Sequence, residues 1–184
     1  MVYLFLADGF ETVEALTVVD MLRRAGIDCQ TVSIQQTREV TSAQKICVQA
    51  DVMLHDMKDC DADMYVLPGG IPGTPNLRAN ETVMELLKKQ YKADKFVAAI
   101  CAAPGIFSEI GFLKGRKAIC YPSFEEQLEK EGAVLVREGA VRDAHVITGR
   151  GMGTAIDFGA AIITALAGEE AAQRVMDSVC YRKL

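Results

Sequence analysis

The sequence predicts a doubly wound α/β sandwich, in which a mostly parallel central sheet is covered by helices on both faces. Short continuous apolar runs recur along the chain, among them Val2 to Leu6, Met64 to Leu67 and Phe96 to Ile100. Such runs are typical of strands that are buried on both faces. Segments with apolar residues at helical spacing lie between the runs, and this alternation predicts parallel strands joined by crossover helices.

The individual elements follow from the same two patterns and from the glycines that end them. Gly26, Gly111 and Gly132 each follow a helical pattern, the usual place for a glycine that ends a helix. The predicted strands are Val2 to Leu6, Ile27 to Ile34, Met64 to Leu67, Phe96 to Ile100, Lys117 to Cys120, Ala133 to Val136, Ala140 to Val141 and Ala144 to Thr148. The predicted helices are Glu11 to Ala25, Glu81 to Tyr91, Ala103 to Ile110, Phe124 to Lys130, Thr154 to Ala167 and Glu169 to Val179.

A small antiparallel hairpin is predicted near the end of the strand series. Its two arms are Ala133 to Val136 and Ala140 to Val141, on either side of Arg137-Glu138-Gly139. The following segment, Ala144 to Thr148, is predicted to be an inner strand of the central sheet.

Length and composition predict one domain over residues 1–184. The chain has 184 residues, 50% of them hydrophobic, and no linker or low-complexity tract divides it. The net charge is −5 and the basic residues are scattered, which argues against binding of nucleic acid. No apolar stretch is long enough to span a membrane. The first residues lack the basic start and cleavage site of a signal peptide, so we expect a cytoplasmic protein.

Six cysteines are present, and we expect them to be free thiols in a reducing compartment. No Cys-x-x-Cys or His-x-x-x-His spacing predicts a zinc site, so we expect no metal. The two histidines, His55 and His145, are interpreted as structural. Asn80 begins a glycosylation sequon but is better explained as the N-cap of the next helix. The cysteines are Cys29, Cys47, Cys60, Cys101, Cys120 and Cys180.

Cys101 is the first candidate functional residue. It follows the apolar run that ends at Ile100 and precedes Ala102-Ala103-Pro104-Gly105, which predicts that a strand carries the thiol into the first turn of a helix. Helix amides favour the thiolate, so we expect the pKa of Cys101 to fall below its usual value of about 8.5. The alternative is a small buried apolar residue, and Cys101 considered alone favours that interpretation.

In doubly wound sheets, ligands bind beyond the carboxyl ends of the parallel strands. Four segments leave strands at that edge, namely residues 7–14, 68–74, 101–105 and 149–154. Glu14 lies on the first turn of its helix, where it can point over the edge toward Cys101. Its pKa should then be raised, because a carboxylate and a thiolate repel each other in a poorly solvated site. Asp8 and Glu11 are explained as helix caps and dipole partners.

Two glycine-containing loops lie at the same predicted edge. Gly69 and Gly70 either turn the chain only or, together with Ala102, donate backbone N–H groups to an oxyanion. Such a donor contributes about 3 kcal/mol in hydrolases. The run from Gly149 to Gly153 could bind phosphate, but its spacing does not match Gly-x-Gly-x-x-Gly. We favour a loop that approaches the site closely, with Arg150 as a candidate ligand for a substrate carboxylate.

The chain resembles the DJ-1/ThiJ/PfpI superfamily over nearly its whole length, and in particular the branch of the Parkinson-disease-associated protein deglycase and its bacterial ThiJ-like relatives. Five motifs in the family's order carry the resemblance. They are Ala7-x-Gly9 with Glu14, Val19-Asp20-Met21-Leu22-Arg23-Arg24-Ala25-Gly26, Val66-Leu67-Pro68-Gly69-Gly70, Ala98-Ala99-Ile100-Cys101-Ala102-x-Pro104 and Thr148-x-Arg150-Gly151-x-Gly153-Thr154.

The resemblance implies a flavodoxin-like fold, a homodimer and a nucleophile elbow that holds Cys101 in strained backbone geometry. It also implies that Glu14 is a protonated carboxyl bonded to the Cys101 sulfur. The oxyanion site would be lined by Gly69, Gly70 and Ala102. Members of the family are described as cofactor-independent glyoxalases, as deglycases, as redox-responsive chaperones and, in other branches, as proteases.

Two positions depart from the family pattern. Protease-like members have a histidine directly after the nucleophile, where this chain has Ala102, which argues against proteolysis. The human-like branch has a His-Pro pair near the site, where this chain has Tyr121-Pro122. Tyr121 can donate a hydrogen bond but is a poor base near neutral pH, so proton transfer would depend on Glu14.

The resemblance leaves two functions open. In the first, the Cys101 thiolate attacks a 2-oxoaldehyde such as methylglyoxal or glyoxal, or an early protein adduct of one, with Glu14 as proton shuttle and no cofactor. In the second, the protein is a redox-responsive stress protein or chaperone whose Cys101 is oxidised to a sulfinic acid. Both functions need the same two residues. Site-lining roles are predicted for Tyr121, Arg150 and Gly151 in either case.

Overall fold

The computed structural model describes residues 1–57 and 62–181. The strands are β1 (Val2–Leu6), β2 (Cys29–Ser33), β3 (Glu39–Thr41), β4 (Cys47–Gln49), β5 (Val52–Met53), β6 (Met64–Leu67), β7 (Phe96–Ile100), β8 (Lys117–Ala118), β9 (Val134–Leu135), β10 (Ala140–Asp143) and β11 (Val146–Gly149). The helices are α1 (Thr12–Arg24), α2 (Gly73–Ala79), α3 (Glu81–Lys92), α4 (Pro104–Glu109), α5 (Glu125–Lys130), α6 (Ala155–Ala167) and α7 (Glu169–Ser178). Short 3₁₀ turns cover Leu54–Asp56, Pro122–Phe124 and Met152–Thr154.

The central sheet confirms the predicted fold class. Its strand order is β10-β11-β7-β6-β1-β2-β5, and every neighbouring pair is parallel except the antiparallel pair of β10 and β11. The chain passes from β1 to β2 on one side and later returns to place β6 on the other side of β1. Strand order therefore reverses between β1 and β6, which opens a crevice at their carboxyl ends.

Two apolar cores lie on opposite faces of this sheet. Along β1, Val2, Leu4 and Leu6 belong to the core on one face, and Tyr3 and Phe5 belong to the core on the other. Because successive strand residues point to opposite faces, a continuous apolar run is what a strand between two cores requires. The covering of both faces confirms the sandwich predicted from these runs.

An antiparallel hairpin is present, as predicted, but it is formed by other residues. Val134–Leu135 (β9) pairs in parallel with Lys117–Ala118 (β8) in a small separate sheet, so the predicted pairing of residues 133–136 with residues 140–141 is wrong. β10 pairs instead with β11. A two-residue turn, Ala144-His145, joins β10 directly to β11, and the φ of 52° at Ala144 is typical of such tight turns. The Gly139 carbonyl also accepts the Arg150 N–H at 3.0 Å.

The structure also contains a second hairpin, formed by β3 and β4, and a short edge strand, β5, none of which was predicted. These strands have only two or three residues and are mostly not buried, so they lack the apolar runs that marked the central strands. The capping role predicted for Asn80 is confirmed, since its side chain accepts the Val83 N–H at 3.1 Å. Within the described residues, no helix is long and apolar enough to cross a membrane.

Candidate active site

Cys101 directly follows β7 and is held in a left-handed backbone conformation. Its φ is 67°, in a region that costs a residue with a side chain about 1–2 kcal/mol. Two backbone hydrogen bonds fix it there: the Cys101 N–H donates to the Gly149 carbonyl at 3.0 Å, and the Cys101 carbonyl accepts the Tyr121 N–H at 2.8 Å. The thiol therefore projects from a sharp turn whose strain is supported by neighbouring segments on both sides.

The turn differs from the predicted one in its relation to the helix. α4 has six residues and begins at Pro104, so Cys101 precedes its first helical residue by three positions and does not lie in its first turn. The alignment of helix amides on the sulfur, which was the reason to expect a lowered pKa, is correspondingly reduced. One local donor remains, because the Ala102 N–H is hydrogen-bonded to the Cys101 sulfur.

Glu14 is the charged partner of Cys101, as predicted from its place on the first turn of α1. Its side chain is buried, with only 1% of the residue exposed. Oε2 accepts the Gly69 N–H at 2.9 Å, and the carboxyl is also hydrogen-bonded to the Met152 N–H and to the Cys101 thiol. Burial outweighs these bonds and raises the pKa of Glu14 to about 7.

The pKa of Cys101 is raised to about 12, so the expected lowering is wrong. Burial is the largest cause, and the negative charge of Glu14 adds to it. Above the pKa of Glu14, which is about 7, Cys101 and Glu14 therefore hold a single proton between them, since two adjacent negative charges in a buried site repel each other. The thiol holds this proton at rest, and the Glu14 carboxylate can receive it.

Gly69 makes the contact between Glu14 and Cys101 possible. A Cβ atom at this position would lie 2.6 Å from Glu14 Oε2 and 2.7 Å from the Cys101 Cβ, so only glycine fits. Its N–H group already donates to Glu14, which corrects its predicted role as an oxyanion donor. Gly69 positions the carboxyl of Glu14 instead.

The oxyanion role of Gly70 and Ala102 stays a prediction. Gly70 has a φ of 101°, and a Cβ atom there would lie 2.4 Å from both the Glu11 nitrogen and the Gly9 carbonyl oxygen, so its backbone is fixed against the loop after β1. Among the described residues, no group accepts a hydrogen bond from the Gly70 N–H. The Ala102 N–H points at the reacting sulfur.

Gly151 and Tyr121 flank the pair from the other side. A Cβ atom at Gly151 would lie 3.9 Å from both Cys101 Sγ and Glu14 Oε1, and 3.6 Å from the Tyr121 ring. The loop of residues 149–153 therefore approaches the site closely, which was the interpretation favoured over a phosphate-binding loop. Tyr121 is 50% exposed at the rim. Arg150 is exposed and donates its backbone N–H to Gly139, so its role toward a substrate carboxylate stays a prediction.

Asp8 and Glu11 do not cap α1. The Asp8 carboxylate accepts the Thr41 N–H at 2.8 Å, and the Glu11 carboxylate accepts a hydrogen bond from the Gln44 side chain at 3.0 Å. Both acids thus tie the loop after β1 to the hairpin of β3 and β4. Glu11 occupies the N-cap position of α1, but its side chain makes no capping hydrogen bond.

Both histidines lie away from the thiol. His145 precedes β11 at its amino end, where its ring is 4.7 Å from that of Tyr91. His55 is exposed and pairs with Asp56 at 3.6 Å, while Asp59, which the sequence places near it, lies outside the described residues, as does Cys60. Where the structure is described, no cluster of three or more His, Cys, Asp or Glu side chains could hold a metal ion.

Met152 is a functional position that sequence reasoning missed. Its backbone N–H donates to Glu14 while its side chain is 55% exposed. No sequence signal marks a backbone donor of this kind. The preceding residue, Gly151, is fully extended, with φ of 164° and ψ of −171°, which is compatible with a proline at position 152.

This geometry gives a matched pair of variants. Met152→Pro removes only the N–H donor among the backbone groups, so we expect the pKa of Glu14 to rise above about 7 by about one further unit. Met152→Ala keeps the N–H and should leave the pKa of Glu14 where it is. Titration of the ¹³C-labelled Glu14 carboxyl by NMR measures both, and equal pKa values in the two variants would contradict the role of this bond.

Comparison with known proteins agrees with the fold. The model of the DJ-1/PfpI family matches residues 1–165. Protein DJ-1 homolog B of Arabidopsis thaliana is 35% identical over 178 residues, which are 96% of this chain and 40% of that longer protein. Glutathione-independent glyoxalase DJR-1.2 of Caenorhabditis elegans is 30% identical over 173 residues, 94% of this chain and 91% of that protein.

The same likeness holds in three dimensions. The crystal structure of Drosophila melanogaster DJ-1beta superposes with a TM-score of 0.93 at 32% identity, covering 99% of this chain and 98% of that one. The chain spans less than half of the Arabidopsis protein, so it corresponds to one part of that relative. Because the family model matches most of the sequence, the chain belongs to the DJ-1/PfpI family.

Proposed function

We propose that the protein is a cysteine-dependent, cofactor-independent glyoxalase that acts on 2-oxoaldehydes or, as a deglycase, on their early protein adducts. The observation that carries the proposal is the buried carboxyl of Glu14, with a pKa of about 7, in hydrogen-bond contact with the Cys101 thiol. A base with a pKa near the working pH is best suited to proton transfer. Membership of the family and the name of the Caenorhabditis elegans relative support the same chemistry.

The first step forms a bond between the Cys101 sulfur and the aldehyde carbon. Glu14 in its carboxylate form takes the thiol proton as the sulfur attacks, and the proton then passes to the former aldehyde oxygen. The product is a hemithioacetal. The N–H groups of Gly70 and Ala102 would stabilise the negative charge on that oxygen while it lasts, and Tyr121 could donate a further hydrogen bond from the rim.

The second step moves hydrogen between the two substrate carbons. Glu14, again a carboxylate, removes the hydrogen of the hemithioacetal carbon as a proton and returns a proton to the neighbouring keto carbon, while the hydroxyl proton of the hemithioacetal passes to the keto oxygen. The first carbon is thereby oxidised to a thioester while the ketone is reduced to an alcohol, so no external oxidant or reductant is needed. Water then cleaves the thioester, releases lactate from methylglyoxal or glycolate from glyoxal, and restores the thiol.

A second candidate function uses the same pair of residues. Near neutral pH, Glu14 is protonated in about half of the molecules, given a pKa of about 7. In that form it could donate a hydrogen bond to a sulfinate at Cys101, which would form from the thiol and two molecules of peroxide with release of water. This supports a redox-responsive stress protein or chaperone as the alternative.

A homodimer, a single domain over residues 1–184 and a cytoplasmic location belong to the same proposal. Two apolar side chains support the dimer, because Val13 on α1 is 42% exposed and Ile46 in the β3–β4 hairpin is 49% exposed. The hydrogen bond between Gln44 and Glu11 joins these two segments. A second copy could cover both side chains at once.

The enzymatic proposal is tested by following methylglyoxal consumption and lactate formation. We expect Cys101→Ser to abolish turnover, because the serine hydroxyl is far less acidic than the thiol, and Glu14→Ala to lower kcat by about 10²–10⁴-fold, the usual contribution of a general acid or base. Cys47→Ser, a change at an exposed cysteine, should retain full activity and serves as the control. Unchanged turnover in Cys101→Ser would rule out the proposed nucleophile.

The redox alternative is tested by exposure to mild peroxide followed by peptide mapping. If it holds, two oxygens are added to Cys101 before any other cysteine, and Glu14→Ala lowers the yield of sulfinic acid because the hydrogen-bond donor is lost. Cys47 and Cys180 are exposed and are the competing sites. Earlier oxidation of either one would count against the alternative.

The dimer is tested by sedimentation equilibrium. We expect a mass of about twice the 20.0 kDa of one chain. Val13→Glu should shift the equilibrium toward the monomer, since it places a charge at an apolar contact. A wild-type protein that sediments as a monomer would overturn this part of the proposal.

A further inference from the structure

A cleft of about 120 Å³ opens beside Cys101 between the loop after β6 and the segment that leads into α4. Its walls include Ile71 and Thr74 on one side and Ala102 and Gly105 on the other, and Phe124 also contributes. The volume is about four times the 30 Å³ that a water molecule occupies in the liquid. A side group of a small molecule can therefore fit there.

The cleft lies next to the reacting groups. Ala102 lines it and also donates its N–H to the Cys101 sulfur. Ile71, on the opposite wall, directly follows Gly70, whose N–H is the second candidate oxyanion donor. A carbonyl group held by these two donors would therefore lie next to the cleft.

The walls are mostly apolar, and the charges at the rim are already paired. Ile71 is 60% exposed, which leaves a large apolar side chain uncovered next to the site. Arg78 Nε and Glu109 Oε2 form an ion pair at 2.7 Å, so neither charge is left to attract a charged ligand. An uncharged apolar group is the occupant that suits such walls.

We propose that this cleft binds the substituent on the carbonyl compound that Cys101 attacks, and that it gives preference to 2-oxoaldehydes with an aromatic or branched apolar group over glyoxal. This inference rests on the proposed function. It adds a specificity site made of Ile71, Ala102, Gly105 and Phe124 to the reacting pair.

Gly105 offers a way to narrow the cleft by one methyl group. A Cβ atom at this position would lie 3.3 Å from Gln127 Oε1 and 3.4 Å from Phe124 Cδ1, close enough to crowd both. Gly153 is the matched control. A Cβ atom there would meet no atom within 4 Å, and its backbone is not left-handed, so Gly153→Ala adds the same methyl group to open space.

The experiment compares kcat/KM for phenylglyoxal and for glyoxal in the wild type, Gly105→Ala and Gly153→Ala. We expect the wild-type ratio to favour phenylglyoxal by about tenfold or more, since even one methylene group in an apolar pocket is worth about 10-fold or more. Gly105→Ala should lower that ratio about tenfold, while Gly153→Ala should keep the wild-type ratio. A wild-type ratio at or below one, or equal ratios in the two variants, would overturn the inference.

A second measurement separates failure of the cleft from failure of the catalytic proposal. Alkylation of Cys101 by N-benzyl iodoacetamide and by iodoacetamide, followed by peptide mass, reads the same preference without turnover. A faster reaction with the benzyl reagent that is lost in Gly105→Ala supports the cleft even if neither aldehyde is consumed, in which case the proposed function alone fails. No benzyl preference in the wild type would overturn the cleft.

Discussion

The burial of one carboxyl group, that of Glu14, is the constraint on which the site depends. With 1% of the residue exposed, the carboxyl cannot be solvated by bulk water, and its pKa rises from 4.5 to about 7. This change corresponds to an unfavourable free energy of about 3 kcal/mol for the charged form. The protein limits it with the N–H groups of Gly69 and Met152, which come from two different loops. The buried carboxyl of Glu14 therefore keeps its two N–H donors only if both loops keep their positions.

The remaining geometry follows from this placement. Position 69 must be glycine because any side chain would strike Glu14 and Cys101 together. Cys101 must adopt a left-handed backbone so that its thiol turns toward the carboxyl, and Gly149 and Tyr121 hold it there. Helix α1, which carries Glu14, is itself fixed from behind by α6. At Gly159 the two helices approach so closely that a Cβ atom would lie 2.6 Å from Met21 Sδ. Packing of α1 against α6 thus helps to fix the position of Glu14 beside Cys101.

The sequence predicted those features that depend on strand order. Strands that are buried on both faces must be apolar, so β1, β6 and β7 were predicted with the bounds that the structure has. Glu14, Gly69 and Cys101 were predicted to lie together because these strands share one carboxyl edge. Features that depend on backbone contacts were not predictable. Residue types indicate neither the backbone donor at Met152 nor the pairing of β10 with β11. The pKa of Cys101 depends on its burial, which the hydrophobic periodicity of the sequence does not indicate. For Gly69, the need for glycine was visible, but the sequence could not tell a close approach from an oxyanion donor.

The two raised pKa values also bear on how the thiol is activated. The negative charge of Glu14 is one of the causes that raise the pKa of Cys101, so the same carboxylate that must accept the thiol proton also opposes the thiolate. Once the proton has moved, that charge is gone and the opposition with it, whereas burial still disfavours the new thiolate. In the proposed reaction, a bound carbonyl group would offset this remaining cost, because its oxygen takes up the negative charge as the S–C bond forms, and Gly70 and Ala102 are the proposed donors that would stabilise that charge. In the proposed reaction, activation therefore depends on the substrate being in place, while the resting thiol is protonated and half-buried.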